Sequence, residues 1–439
     1  MEFETALARE PSSSCNSEVF RISSAASTPA TMTRSPLPLQ PMLAGLVLTL
    51  AQILVAVCLL APEGPFSYRY STLIQHDGYW FMNIVNRGYA TTVPPINHKV
   101  MEVSNVAFFP AYPAIAALLR RGLNLETSTA LLVVSQAAAW FFWTYFFLFC
   151  KRWNLSPALQ VFGAMSIFAH PAAFFLVAGY SESLFLMGLI GFIYWSGEQG
   201  RAAKIWAALH GMLMSATRIV GIVCAIYPIV AKVFGQSWNG LRDWRGWWQR
   251  YRSAVALTIA AASGAILFFV YCQLRWGHWD MYMLTQTAGW GITPDYLAAL
   301  RPSSYHWLLP ALNNPTEMSQ MAMTVGALLF IAIAICEFLP VVRRRSTFAA
   351  RAGIYFCAVA IYYISVSGVA SVEMESMLRY EFCVHVLIVL ALLQLFATIR
   401  VPSALVRAFG MGTMALVSAI GFSVQGWYVW NFTRGNWVA

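Results

Sequence analysis

Hydrophobic residues in this chain form long runs that are separated by short polar connections. A helix needs about 20 apolar residues to cross a bilayer, within a range of about 17–25. The runs of that length are 42–62, 127–150, 156–178, 253–274, 319–341, 352–370, 380–399 and 408–430. Three further runs are shorter, at 181–197, 203–217 and 219–232. The pattern predicts an all-α, polytopic transmembrane protein with about eleven spans.

The last two short runs form one long apolar stretch that is interrupted by Thr217 and Arg218. An arginine at the middle of a bilayer costs at least about 2.5–3.5 kcal/mol. Two short helices that meet at a membrane face avoid this cost. We therefore expect two helices here rather than one long helix.

Two connections, 63–126 and 275–318, are too long to be simple links between spans. After His76 and Asp77, the apolar residues of the first connection recur with the spacing i, i+3, i+4, at Phe81, Ile84 and Val85. This spacing predicts a short amphipathic helix that lies in the plane of the interface.

The stretch Phe108–Leu119 in the same connection is also apolar, but it is too short to span a bilayer. It contains Pro110 and Pro113, which should break a helix. We expect a second in-plane or re-entrant segment.

Residues 1–41 differ from the rest, because they are rich in Ser, Thr and Pro and have no helical apolar face. They predict a disordered cytosolic tail ahead of a single transmembrane domain over 42–439.

Composition and charge agree with a membrane protein: 59% of residues are hydrophobic and only 10% are charged. Soluble domains carry about 25% charged residues. The net charge of +10 comes from basic clusters in alternate connections, so it does not indicate nucleic-acid binding. These clusters place the N-terminus in the cytosol and the C-terminus and both long connections outside. The predicted inner residues are Lys151, Arg152, Arg201, Lys204, Arg242, Arg245, Arg250, Arg252, Arg343, Arg344, Arg345, Arg351, Arg400 and Arg407.

Charged residues collect at the predicted outer face, although they are far apart in sequence. They are Asp77, Glu102, Glu182, Arg218 and Arg379. Charges at a lipid boundary are costly and indicate a functional site. Each also has a structural interpretation: the carboxylates could cap helices and the arginines could snorkel to the interface. His76 could be an interfacial histidine or a metal ligand, but no second histidine has ligand spacing, so a divalent cation stays only an option.

The chain resembles the PIG-V family of mannosyltransferases, of the GT-C class, in several segments that follow the family's order. The segments are Asp77-Gly-Tyr-Trp-Phe-Met-Asn-Ile with Arg87-Gly88-Tyr89, Phe108-Phe109-Pro110-Ala-Tyr112-Pro113, His170-Pro171-Ala-Ala-Phe174-Phe175 with Tyr180-Ser181-Glu182-Ser183, Ser215-Ala216-Thr217-Arg218 and Ser376-Met-Leu-Arg379-Tyr380. They cover about residues 70–385. The chain departs from the family pattern at His76, where an aromatic is common, and at Gly179, where proline is common.

The resemblance implies transfer of a sugar, mannose first, from a polyprenyl-phosphate donor to a lipid-linked or glycan acceptor. The phosphate leaves as a stable anion, so this end needs positive charge, for which Arg218 and Arg379 are candidates. The acceptor hydroxyl needs a base, with Asp77 as first choice and Glu102 and Glu182 next. A single displacement would invert the anomeric carbon.

Aromatic residues near these charges could stack on the sugar or anchor the chain in the interface. The candidates, with His76 beside them, are Tyr79, Trp80, Tyr112, Tyr180 and Tyr380.

The site would face the bacterial periplasm or the lumen of the endoplasmic reticulum. A transporter or lipid flippase is the leading alternative, but such proteins show internal repeats and mid-bilayer charges, which the hydropathy lacks. A non-enzymatic subunit is the third.

Overall fold

The computed structural model describes residues 39–91, 104–236, 246–345, 347–397 and 404–438. Within these ranges every regular element is helical and no β-strand occurs. The prediction of an all-α fold is therefore confirmed. The proposed general base Glu102 and most of the predicted tail 1–41 lie outside the described residues.

The first helix, α1 (Leu39–Leu54), continues directly into a π-helix, Val55–Leu60. The helices that follow, in chain order, are α2 (Phe66–Ser71), α3 (Asp77–Arg87), α4 (Ala111–Leu123), α5 (Thr127–Arg152), α6 (Pro157–Phe168), α7 (Glu182–Ser196), α8 (Arg201–Ser215), α9 (Gly221–Cys224), α10 (Tyr227–Phe234), α11 (Trp247–Trp276), α12 (Met281–Trp290), α13 (Pro315–Phe338), α14 (Pro340–Arg345), α15 (Ala349–Val369), α16 (Met377–Phe396) and α17 (Ala404–Phe432).

In the described ranges, six helical stretches are long and apolar enough to cross a membrane. They are α1 with its π-helical extension, α5, α11, α13, α15 with the 3-10 turn that follows it, and α16. Shorter apolar helices cover Pro157–Phe168, Glu182–Ser196 and Gly221–Phe234. The exact number of spans stays a prediction. Among the six, α16 is the most enclosed, since 78% of its most apolar window is buried, against 28% for α1, α11 and α13.

The run 156–178 does not form the continuous span that its hydropathy predicts, because α6 ends at Phe168. Pro171 explains this end: it has no N–H to continue the helix, and its ring disfavours a helical conformation at His170. Residues 169–181 form turns and a short 3-10 helix, Ala173–Leu176. This α6–α7 connection leads directly to Glu182.

The first long connection contains the two predicted helical segments. The amphipathic helix is present as α3, which begins at Asp77. The expectation that prolines break the second segment is wrong, because α4 is continuous from Ala111 to Leu123. Pro110 immediately precedes α4 and Pro113 lies in its first turn, where backbone N–H groups need no partner inside the helix.

The expected break near Arg218 is present, because α8 ends at Ser215 and α9 begins at Gly221. The chain turns back on itself closely at this point. A Cβ at Gly221 would lie only 2.7 Å from the carbonyl oxygen of Met214. Helix α11 also approaches the break, since a Cβ at Gly264 would lie 2.1 Å from the carbonyl oxygen of Met212. Small residues permit such close packing of helices in membranes.

Candidate active site

Asp77 is held by an ion pair and does not cap its helix. Helix α3 begins at Asp77, and the preceding residue His76 has a φ of 45° and no capping hydrogen bond from its side chain. The Asp77 carboxylate accepts a hydrogen bond from the Arg379 guanidinium, with an Oδ2–Nη1 distance of 2.7 Å. The N-cap interpretation of Asp77 is therefore not what the geometry shows.

Glu182 stands at the start of α7, at the end of the α6–α7 connection, which is enclosed in protein and contains only one short 3-10 helix. Backbone groups at membrane depth must find partners inside the protein. Three glutamines from distant helices, Gln52, Gln136 and Gln425, supply these partners. Their amide nitrogens donate to the carbonyl oxygens of Ala173 (3.2 Å), Val177 (3.3 Å) and His170 (2.7 Å), respectively. The connection is thus fixed, and with it the position of Glu182.

Arg379 lies in the first turn of α16, directly after a tight loop. Three non-glycine residues of this loop have left-handed backbone conformations: Glu373 (φ 55°), Met374 (φ 63°) and Ser376 (φ 68°). Such conformations cost roughly 1–3 kcal/mol each and cluster at functional sites. The Ser376 hydroxyl accepts a hydrogen bond from Nη2 of Arg379 at 2.7 Å, so the loop also orients the guanidinium.

Glu182 joins the two arginines. Its Oε1 atom lies 2.5 Å from Nη2 of Arg218 and 3.4 Å from Nη1 of Arg379. The Glu182 side chain is completely buried, while that of Arg218 is 16% exposed. Together with Asp77, these residues form a four-residue charge cluster whose two positive and two negative charges cancel. Every member was predicted from the sequence.

Aromatic rings surround the arginines of the charge cluster. The guanidinium carbon of Arg379 lies 5.0 Å from the ring centroid of Tyr180 and 5.5 Å from that of Phe175. The guanidinium carbon of Arg218 lies 5.3 Å from the ring centroid of Tyr380. These distances fit cation–π contacts, which help to retain a guanidinium away from water.

The charge cluster lies against a cavity of about 460 Å³, which we call the main cavity. Asp77, Arg218 and Arg379 supply charged groups to its lining. Much of the remaining wall is apolar and comes from α12, from α15, and from the α3–α4 and α8–α9 connections. Apolar residues of this wall include Phe108, Phe109, Ile219, Trp290, Ile361, Ile364 and Val369. A cavity with cations at one part and apolar walls elsewhere suits an anionic group that carries a hydrocarbon chain.

A second cavity of about 480 Å³ adjoins the main cavity. Both are lined by Val372, Glu375 and Trp437. The second cavity is also lined by Pro315, Thr316, Ser319, Ser371 and Glu373.

Of the five predicted aromatic residues, one lines the main cavity, three are buried in the protein and one is exposed. Tyr380 lines the main cavity. Tyr180 is buried behind Arg379, and Trp80 is buried 5.5 Å from the Trp290 ring, between ring centroids. Tyr112 is fully buried in the core, where its hydroxyl lies 2.8 Å from the Ser135 hydroxyl. Tyr79 is 40% exposed and bonds Gln75, away from both cavities.

His76 is held by the segment that follows α17. Its Nε2 atom lies 3.1 Å from the carbonyl oxygen of Asn436, and its ring packs edge-on against Trp437 at 4.8 Å between centroids. Burial lowers the pKa of His76, although the Asn436 carbonyl and the Asp77 carboxylate oppose the shift. The imidazole is therefore neutral at pH 7 and helps to place Trp437, which the sequence did not indicate.

A His–Glu–His group joins the α6–α7 connection to α16, beyond Arg379 along that helix. It consists of His170, Glu381 and His385, and its possible metal-ligand atoms lie within 4.8 Å of one another. Nε2 of His170 lies 2.7 Å from Oε2 of Glu381, and Nδ1 of His170 accepts the N–H of Ala172 at 3.1 Å. Since Nδ1 is an acceptor, the neutral ring carries its proton on Nε2 and donates it to Glu381. A metal ion on Nε2 would need the proton on Nδ1. The group thus fits a hydrogen-bonded link between the α6–α7 connection and α16.

Comparisons with known proteins identify the fold. No family model matches the sequence, and no curated protein matches it either. Among solved structures, ArnT from Cupriavidus metallidurans bound to undecaprenyl phosphate matches with a TM-score of 0.50 and 14% identity, over 86% of this chain and 63% of that chain. The archaeal oligosaccharyltransferase AglB from Archaeoglobus fulgidus, in complex with an inhibitory peptide and a dolichol-phosphate, matches with a TM-score of 0.50 and 10% identity, over 89% and 56%.

Both matched proteins are membrane glycosyltransferases of the GT-C class. The chain has a GT-C fold. It spans less than two thirds of the length of either protein. With its apolar helices, this fold makes the chain an integral membrane protein.

Proposed function

We propose that the chain is a glycosyltransferase that moves a sugar from a polyprenyl-phosphate donor to a lipid-linked or glycan acceptor with inversion. Mannose is the sugar proposed first, because the sequence resembles the PIG-V mannosyltransferases. The observation that supports this proposal most directly is the charge cluster at the wall of the main cavity. In it, Arg218 and Arg379 stand beside Asp77 and Glu182, and apolar residues form much of the rest of the cavity wall. The matched GT-C structures, with their undecaprenyl phosphate and dolichol-phosphate ligands, support the choice of donor.

In the proposed reaction, the acceptor oxygen forms a bond to the anomeric carbon while the bond from that carbon to the phosphate oxygen breaks. The leaving phosphate keeps the electron pair of the broken bond, and Arg218 and Arg379 stabilise its charge. The acceptor hydroxyl loses its proton to Asp77. Arg379 holds Oδ2 of Asp77, so Oδ1 is the oxygen proposed to take the proton.

Glu182 has a different proposed role from that of a base, for which the sequence analysis gave it as a choice after Asp77. It is fully buried, does not line the main cavity and contacts both arginines. We therefore propose that Glu182 positions the two guanidiniums rather than acting as a base. The proposed sidedness follows the basic connections: the site faces the periplasm or the lumen, and the N-terminus is cytosolic.

The test is transfer of labelled mannose from polyprenyl-phosphate mannose by the purified full chain onto co-extracted lipids. Asp77→Asn should lower kcat by about 10²–10⁴-fold, because the amide cannot act as a base. Arg218→Lys should mainly weaken donor use, because a point charge grips phosphate less well than a planar fork. Glu126→Gln, at an exposed carboxylate that lines neither cavity, is the control and should behave as the natural protein. Retention of most activity by Asp77→Asn would refute the assignment of the base.

A further inference from the structure

The connection between α12 and α13, residues 291–314, exposes large apolar side chains, although hydropathy places it outside the bilayer. Six of these side chains are at least 59% exposed, and the exposed fraction reaches 95% at Leu309. They form what we call the apolar patch: Tyr296, Leu297, Leu300, Trp307, Leu308 and Leu309. Exposed apolar surface of this kind marks a contact with a membrane or with a partner.

The opposite side of the same connection is packed against the protein. Ala298 is buried in the core, and Ala299 and Tyr305 pack against that core. The Tyr305 hydroxyl donates to the carbonyl oxygen of Ala299 at 2.6 Å. The connection therefore has a core-facing side and an apolar side that is exposed in the described part of the chain.

Two hydrogen bonds place the connection beside candidate spans rather than beyond their ends. The N–H of His306 donates to the Thr324 hydroxyl at 3.0 Å. Thr324 lies in the third turn of α13, roughly 13 Å along the helix axis from its first residue. The Tyr363 hydroxyl donates to the carbonyl oxygen of Tyr296 at 3.1 Å, about 9 Å before the last residue of α15. The connection thus runs back along the two spans.

The exposed side of α13 continues the apolar patch along this span. Leu328, Ile331 and Ile335 follow Thr324 at i+4, i+7 and i+11, so all four share one side of the helix. These three side chains are 49–60% exposed. Because the chain is an integral membrane protein, such a stripe on a spanning helix faces lipid. His306 bonds Thr324 at the head of this stripe, which places residues 307–309 at the same lipid-facing side.

Charged side chains beside the apolar patch are paired. Nη2 of Arg301 lies 3.2 Å from Oδ1 of Asp295, and Nε2 of His306 lies 4.0 Å from Oε2 of Glu317. Charged groups near lipid pair with one another because an isolated charge is costly there. The charges of the connection are therefore compatible with a place at a lipid boundary.

We infer that the apolar patch is embedded in the lipid leaflet on the side of the main cavity, at the boundary between headgroups and hydrocarbon. Its irregular backbone stays at the level of the headgroups, because such backbone is not exposed to hydrocarbon. The leucine side chains enter the hydrocarbon, and Trp307 lies among the headgroups, where indole rings are enriched. Tyr296 belongs to the patch and also lines the main cavity, so the leaflet reaches the edge of that cavity. This inference goes beyond the proposed function and does not depend on it.

The experiment attaches a small fluorophore to single introduced cysteines of the full chain in phosphatidylcholine nanodiscs. Leu309→Cys reports on the apolar patch and Ile331→Cys on the lipid-facing side of α13, while Glu126→Cys is an exposed charged position outside both. The unsubstituted chain, labelled in the same way, gives the background from the natural cysteines. Each label is quenched by bromine on the lipid acyl chains and, separately, by iodide in the water.

We expect acyl-chain bromine to quench the label at 309 at least about threefold more than the label at 126, and about as strongly as the label at 331. Iodide should give the reverse order. Leu308→Asp should lower the bromine quenching at 309 at least about twofold, because a carboxylate is costly in contact with hydrocarbon. Leu308→Ile, which keeps the apolar character and the size of the side chain, is the matched control and should leave the quenching unchanged.

A label at 309 that iodide quenches as strongly as the label at 126, and that acyl-chain bromine does not quench, overturns the inference and leaves the patch in water. Protection from both quenchers overturns it as well, because a second copy of the chain or another segment of it then covers the patch. Bromine quenching that is the same in Leu308→Asp and Leu308→Ile also overturns it, since apolar side chains would then not be what holds the patch in the leaflet.

Discussion

Removal of the Glu182 charge should make the protein less stable and yet increase its affinity for the lipid phosphate. The charge cluster is neutral as it stands, because two arginines face two carboxylates. Glu182→Gln keeps the size of the side chain and leaves the cluster with one net positive charge. Glu182 is fully buried, so water cannot take its place on the side of the arginines that it contacts.

The magnitudes follow from the geometry. Removal of one partner of a buried ion pair costs about 3–5 kcal/mol. Asp77 still faces Arg379, and the glutamine oxygen still accepts a hydrogen bond, so we expect the lower end, about 3 kcal/mol. Two unit charges about 4 Å apart attract by about 4 kcal/mol at an effective dielectric constant of about 20. Glu182 does not line the main cavity, so a phosphate bound there should gain only part of this energy from the added net charge, about 1.4 kcal/mol. This gain is about a tenfold tighter Kd.

The assay combines thermal unfolding with the binding of undecaprenyl phosphate in nanodiscs. Glu337→Gln is the control, since Glu337 also pairs with a buried arginine: its two carboxylate oxygens lie 2.6 Å and 2.8 Å from Nε and Nη2 of Arg351. That variant should lose a similar stability without a change in Kd. A Glu182→Gln protein with unchanged stability would refute the assignment of Glu182 as a positioning residue. Weaker phosphate binding by this variant would refute the predicted electrostatic gain from the added net charge.

Two further predictions concern pH and topology. Because desolvation raises the pKa of Glu375 in the folded protein, its ionised form destabilises the fold above that pKa. Glu375→Gln should therefore raise the melting temperature at pH 7, and the difference from the natural protein should vanish as the pH falls below about 4.5, the ordinary pKa of the group. A difference in melting temperature that does not depend on pH would contradict this. A reporter fused after Trp248 should lie in the cytosol and one fused at Asn97 outside, as protease protection can measure. If both reporters lie on the same side, the proposed sidedness is wrong.

Sequence alone could predict that charged residues at the ends of apolar runs share one face, but not which of them pair. Arg379 bonds Asp77 across 302 positions in sequence, and this choice depends on where the fold places the first turn of α16 relative to the start of α3. Aromatic residues were harder still. Tyr112 and Tyr380 both lie beside site motifs, yet only Tyr380 lines the main cavity, because the side of a helix that faces a cavity is set by packing with partners distant in sequence.

Prolines show the same limit at the level of single helices. Pro113 and Pro171 both interrupt apolar runs. Pro113, however, lies in the first turn of α4, whereas Pro171 comes after the last turn of α6. Hydropathy does not distinguish these two positions of proline. The predictions of a continuous span over 156–178 and of a broken helix over 108–119 were therefore both wrong. The role of Trp437 could not be found from sequence either, since its position beside His76 depends on the return of the chain after α17.

The glutamine contacts of the α6–α7 connection also bear on the order in which the molecule is assembled. Gln52 and Gln136 precede the connection in the chain, but Gln425 lies 255 residues after the His170 carbonyl that it binds. At a synthesis rate of about 5–20 residues per second, roughly 13–50 seconds separate the two. During that interval the ribosome has delivered the carboxylates and Arg218, while the His170 carbonyl, which also accepts the N–H of Ala173 at 2.9 Å, still lacks its long-range donor. Maturation of the site should therefore be a late, post-insertion event in biogenesis.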